Sequence, residues 1–120
     1  MDHLQLSTRR LGRAAVVTVG GELDSVTKGA LDRCLRTFFR TADDHVVVDL
    51  SGVTFMDSGA LGMITEHHQR ATSSEGSLAF AGASPSRMQV LWLTGLATWL
   101  PFYKDVAAAV QALGGDDGPG

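Results

Sequence analysis

The chain has 120 residues, enough for one domain around one core. Hydrophobic residues make up 44 % and charged residues 19 %, a globular composition that excludes a disordered chain. The net charge is −3 and the ten basic residues are scattered, which argues against a nucleic-acid partner or an anionic membrane surface, and no apolar run reaches the roughly 18 residues of a membrane span.

The single cysteine, Cys34, cannot form an internal disulfide, and its neighbours suggest a small buried hydrophobe. The start Met1-Asp2-His3-Leu4-Gln5 lacks the basic and apolar stretches of a secretion signal. Together these features predict a soluble cytoplasmic domain, and the composition implies no cofactor.

Residues 3–9 and 13–19 read as strands joined by a turn at Arg10-Leu11-Gly12-Arg13, with Gly20-Gly21 ending the second. Helical spacing of Ala30/Leu31, Cys34/Leu35 and Phe38/Phe39 predicts a helix over 26–41, capped by Ser25 or Thr27. Val46-Val47-Val48-Asp49-Leu50 is apolar on both faces, as a central parallel strand covered on both sides would be. A loop, 51–57, follows. The next helix, 58–72, carries Leu61, Ile64 and His68 on one face.

Leu78-Ala79-Phe80-Ala81 reads as a fourth strand. Ser84-Pro85 starts a third helix that stops near Gly95, Trp99-Leu100-Pro101-Phe102 an edge strand, and Asp105 to Leu113 a last helix. Residues 1–113 form the expected domain and 114–120 a flexible tail. Strands alternating with helices predict an α/β fold: a mixed, mostly parallel sheet of four to five strands with about four helices. In such sheets the functional surface lies where strands end and helices begin, which singles out the segment before Ser58.

That segment carries the most specific motif. Asp49-Leu50-Ser51-Gly52 leads into Phe55-Met56-Asp57-Ser58, and Gly21-Glu22-Leu23-Asp24 follows the second strand. Both resemble the signatures of STAS domains in anti-anti-sigma factors (anti-sigma factor antagonists), and Leu93-Thr94-Gly95-Leu96 is a further, less specific match. The likeness spans about residues 4–113.

The resemblance implies a STAS-type fold and partner switching. Such a protein, unphosphorylated, binds an anti-sigma factor that is also a serine kinase, and so frees a sigma factor. The kinase then phosphorylates the serine matching Ser58, the complex dissociates, and a serine phosphatase resets the cycle. The implied phosphorylation site is Ser58, and the implied partner-binding residues are Glu22, Asp24, Asp57, Ser58 and Gly59. The sequence departs from the family at Gly59 and Ala60, where the family usually has Ser or Thr and then Gly.

Read from the residues alone, Ser58 is either a switch or simply a helix cap. Glu22 and Asp24 are either a solvated turn or a contact surface, with the motif favouring Asp24. Phosphoserine brings about −1.5 to −2 charge, which a helix N-terminus tolerates but a fitted partner without matching donors does not. His67-His68 makes an improbable metal site, because adjacent residues diverge on a helix and no third ligand is near in sequence. Trp92, Trp99 and Phe102 read as packing residues.

Two other functions compete. One is a STAS-like accessory subunit of a lipid or solute transport system. The other is a hydrolase pairing Ser58 with His67 or His68, which helix rise separates by about 13–15 Å, too far for a proton transfer. No catalytic residue is therefore assigned.

Overall fold

The apolar run Val46-Val47-Val48 lies in the middle of a five-stranded sheet, where a strand apolar on both faces belongs. The computed structural model describes residues 4–40, 44–83, 93–95 and 100–113. Within them the order is β1 (Gln5–Leu11), β2 (Ala14–Leu23), α1 (Lys28–Leu35), β3 (His45–Met56), α2 (Ser58–Ser73), β4 (Ser77–Ala81), β5 (Phe102–Tyr103) and α3 (Val106–Ala112). The strands lie in sequence order; β1 pairs antiparallel with β2, and every later pair is parallel. This is the mixed, mostly parallel sheet that the sequence predicts. The expected third helix, with Ser84, Pro85 and Trp92, falls almost wholly outside the described residues, as do Trp99 and the tail 114–120.

Alternation on the strands builds two layers of core. Val17, Val19, Val46, Val48, Leu78 and Phe80 face α1 and α2, while Ala14, Val16, Val47, Ala79 and Ala81 pack beneath Ala109 and Val110 of α3. Leu31, Leu35 and Ile64 are fully buried. Each such side chain contributes about 1.5–3 kcal/mol relative to exposure, so α1, with eight residues, is held by packing rather than by intrinsic propensity. Phe102 is half-buried and packs its ring 5.2 Å from that of Phe80.

Several sequence expectations need correction. Gly20-Gly21 do not end β2, and 51–57 is not a loop: both strands run on, to Leu23 and Met56, through two register shifts in their pairing. The glycines allow this. Gly21 takes φ 106°, and a Cβ on Gly52 would lie 3.1 Å from the Val19 carbonyl oxygen and 3.2 Å from the Gly20 Cα.

The helix expected over 26–41 is shorter at both ends. It stops at Leu35 because Phe39 turns inward with φ 71° to bury its ring, and the Asp44 carboxylate accepts the Phe39 and Arg40 amides. On α2, His67 rather than His68 shares the buried face with Leu61 and Ile64. Cys34 is half-buried at the edge of the core rather than inside it.

Candidate functional site

The ends of β2 and β3 bring the two sequence motifs together. Leu23 pairs with Met56, and the Asp57 amide donates to the Leu23 carbonyl at 3.0 Å. Glu22-Leu23-Asp24 and Asp57-Ser58-Gly59 therefore leave the sheet side by side, at the carboxyl ends of parallel strands.

Asp57, not Ser58, caps α2. Its backbone is extended and its Oδ1 accepts the Ala60 amide at 2.8 Å. Ser58 is the first helical residue; it is exposed, and its hydroxyl makes no hydrogen bond to the described residues. The capping duty that would compete with a functional role is already taken. Gly59 is exposed beside it, while Ala60 and Leu61 are buried and hold the helix start on the core.

Asp24 organises the neighbouring turn. Its Oδ1 accepts the Val26 and Thr27 amides at 2.9 and 3.0 Å. Those backbone donors favour the charged form and hold its carboxyl below the usual carboxylate range. The Thr27 hydroxyl donates to the Glu22 carbonyl at 2.5 Å and accepts the Asp24 amide at 3.1 Å. Thr27 stands at the N-cap of α1 as expected, but its side chain is turned to this bridge and does not cap the helix. Asp24 is half-buried, whereas Glu22 is exposed and lies opposite Phe55. Phe55 and Val26 are 47 % and 84 % exposed, so two apolar side chains accompany the acidic residues on this end of the molecule.

Lys28, the first residue of α1, extends toward Gly59: a Cβ placed there would lie 3.3 Å from the Lys28 ammonium.

His67 has a different surrounding. It is 2 % exposed, and its Nε2 lies 2.7 Å from Asp32 of α1. Arg70 approaches its Nδ1 at 2.8 Å and also donates to the Phe38 carbonyl at 3.1 Å. Arginine can only donate, so Nδ1 accepts and Nε2–H donates to Asp32, which fixes a neutral imidazole. Burial pushes the His67 pKa down, outweighing the pull of Asp32; the His67 bond in turn lowers that of Asp32. Both ring nitrogens are occupied, so His67 is not available as a base for Ser58. Among the described residues no cluster of three or more His, Cys, Asp or Glu could hold a metal.

The STAS domain family model matches residues 5–109. The chain belongs to the STAS domain family.

Among curated STAS relatives, the anti-sigma F factor antagonist of Paenibacillus polymyxa is 26 % identical over 115 residues, covering 92 % of this chain and 96 % of the relative. A solved anti-sigma factor antagonist from Mycobacterium paratuberculosis superposes with a TM-score of 0.78 at 27 % identity, over 92 % of this chain and 93 % of the other. The anti-sigma factor antagonist SpoIIAA in its unphosphorylated form gives a TM-score of 0.71 at 19 % identity, over 92 % of this chain and 97 % of the other; the same fold has been solved phosphorylated.

The five site residues expected from the STAS signature thus gather at one end of the sheet. Sequence reasoning missed Lys28, exposed Val26 and the Asp32–His67–Arg70 bridge. Val26 follows directly on the Gly21-Glu22-Leu23-Asp24 motif and could have been weighed with it. The bridge spans two helices and leaves no local signal.

Proposed function

We propose that this STAS domain is an anti-sigma factor antagonist: unphosphorylated, it binds an anti-sigma factor with serine kinase activity and so frees a sigma factor, and phosphorylation of Ser58 switches that binding off. The observation that carries the reading is the exposed, unbonded Ser58 hydroxyl at the start of a helix that Asp57 already caps. A kinase can reach this oxygen without undoing any hydrogen bond of the fold.

In the transfer, Ser58 Oγ takes the γ-phosphoryl group of ATP, ADP leaves, and the hydroxyl proton passes to a base on the kinase. A serine phosphatase hydrolyses the ester and restores the binding form. Like the antagonists it resembles, the chain is a regulatory protein and not an enzyme. No helix among the described residues is long and apolar enough to cross a membrane. A soluble kinase partner would place the switch in the cytoplasm.

The partner surface on this reading is Glu22, Asp24, Asp57, Ser58 and Gly59, with Phe55 and Val26 as apolar anchors. It is acidic before modification, and phosphate adds about −1.5 to −2 more. Uncompensated charge at an interface costs several kcal/mol, so the complex dissociates without refolding of the antagonist.

The test is incubation with candidate anti-sigma kinases and ATP, followed by peptide mass mapping. The expected product is a single phosphate on Ser58 that disappears in Ser58→Ala, while Ser58→Ala still binds the kinase. A phosphate on Ser51 or another serine, or no modification by any anti-sigma kinase, would refute the assignment.

A further inference from the structure

Lys28 holds its charge in an unusual place. Its ammonium lies 3.3 Å from where a Gly59 Cβ would be, and therefore within about 5 Å of the Gly59 Cα. Ser58 is the adjacent residue, its Cα about 3.8 Å further along the chain. The groove between α1 and α2, about 380 Å³, opens here, and Gly59 leaves the lysine room. Among the described residues no ion pair ties the Lys28 ammonium, although Arg36 in the same groove is paired with Asp32 at 3.0 Å.

A cation has the wrong sign for this position. The start of α2 carries the positive end of the helix dipole, which favours anions and opposes Lys28. The Asp57 Oδ1, which accepts the Ala60 amide, lies 3.5 Å from the same Gly59 Cβ position and keeps its negative charge, but among the described residues no ion pair within 4 Å joins it to Lys28. The unmodified site therefore holds an ammonium with the Asp57 and Glu66 carboxylates nearby but, among the described residues, with neither paired to it.

We infer that Lys28 is the internal counter-ion of phosphorylated Ser58, reaching the phosphate across the space that Gly59 leaves open. The inference rests on the reading of Ser58 as the modified residue. The phosphate oxygens are strong acceptors on a short, rotatable arm, and the lysine stem is flexible, so the two meet without movement of the backbone. The Gly59 departure from the family signature then has a use, since a Cβ there would crowd the ammonium. One ammonium offsets only part of the phosphate's charge of about −1.5 to −2, so the fold is kept while the surface still faces a partner with added negative charge.

The experiment uses the full chain with phosphoserine encoded at position 58, so no kinase is involved. Phosphorus NMR follows the second ionisation of the phosphate, ordinarily near pH 6. It should fall at lower pH in the parent than in Lys28→Met, by roughly 0.2–0.7 pH, the worth of a partly exposed ion pair. Lys28→Arg should retain the shift. Arg10→Met, on β1 beside Ala15 at the opposite end of β2, should leave it unchanged.

Identical titrations in the parent and Lys28→Met overturn the inference, as does an equal shift from Arg10→Met. A kinase that ignores Ser58 would instead overturn the switching proposal and leave this measurement untouched.

Discussion

Ser58 and His67 occupy the same helix, about two and a half turns apart, and have opposite surroundings. Ser58 is exposed and makes no hydrogen bond to the described residues; His67 is 2 % exposed with both ring nitrogens bonded, to Asp32 and to Arg70. The first can gain charge at little cost to the fold. The second cannot change protonation without breaking the bridge that holds α1 against α2. The proposed switch residue and the structural one therefore differ in their commitments rather than in chemical type, since serine and histidine are both common switch residues.

Removing His67 gives the largest expected effect. His67→Ala leaves Asp32 and Arg70 without a shared buried partner and opens a cavity, and should cost about 2–4 kcal/mol in urea unfolding. Ser58→Ala should stay within about 0.5 kcal/mol of the parent. Equal losses at the two positions would dissolve the contrast.

On the binding side the order reverses. Ser58→Asp should bind the anti-sigma partner at least about tenfold more weakly, roughly 1.4 kcal/mol, and true phosphorylation should weaken it further. Its circular dichroism should match the parent, because an acid suits a helix N-terminus. Calorimetric titration of parent, Ala, Asp and phosphorylated forms decides this, and equal affinities would remove Ser58 from the interface.

Acid sharpens the same contrast. Burial lowers the folded-state pKa of His67, and of His68, below the ordinary 6.5. As pH falls through 6.5 the unfolded chain takes up these protons first. Stability is therefore full above pH 6.5 and declines below it, down to the folded-state pKa values, by at most about 1.4 kcal/mol per pH unit per group. Asp32 and Asp24 are shifted the other way relative to their charge and add their loss only below about 3.8. Urea midpoints between pH 7.5 and 5 should fall for the parent and fall less steeply in His67→Gln, where His68 alone contributes; equal slopes in the two would mean that His67 does not contribute.

The smallest effect is local. Asp24→Ala removes the carboxylate that accepts the Val26 and Thr27 amides. Amide exchange at those two residues should quicken while α2 and the central strands stay protected. If partner affinity falls with it, Asp24 acts at least partly through the shape of the turn that presents Val26.

Much of the fold was legible because it rests on local patterns. Runs apolar on both faces, as at Val46-Val47-Val48, require burial from both sides, and helical spacing around Leu31 and Leu61 assigns those residues to the core without reference to distant contacts. The extent of the elements was harder to read. Glycines at 20, 21 and 52 look like strand ends but act as bulges, because the neighbouring strand comes close enough to need them.

The site was legible as a motif and not as a geometry. Asp57-Ser58 at a strand-to-helix junction identifies the candidate serine, yet cap and first helical residue are adjacent in sequence and both suit a cap. Only the folded backbone, with Asp57 extended and its carboxylate on the Ala60 amide, decides which of the two is left free. Lys28 against Gly59 and Asp32 against His67 are pairs more than thirty residues apart. Their meeting depends on how α1 packs beside α2, and sequence spacing within a single helix or strand carries no information about that.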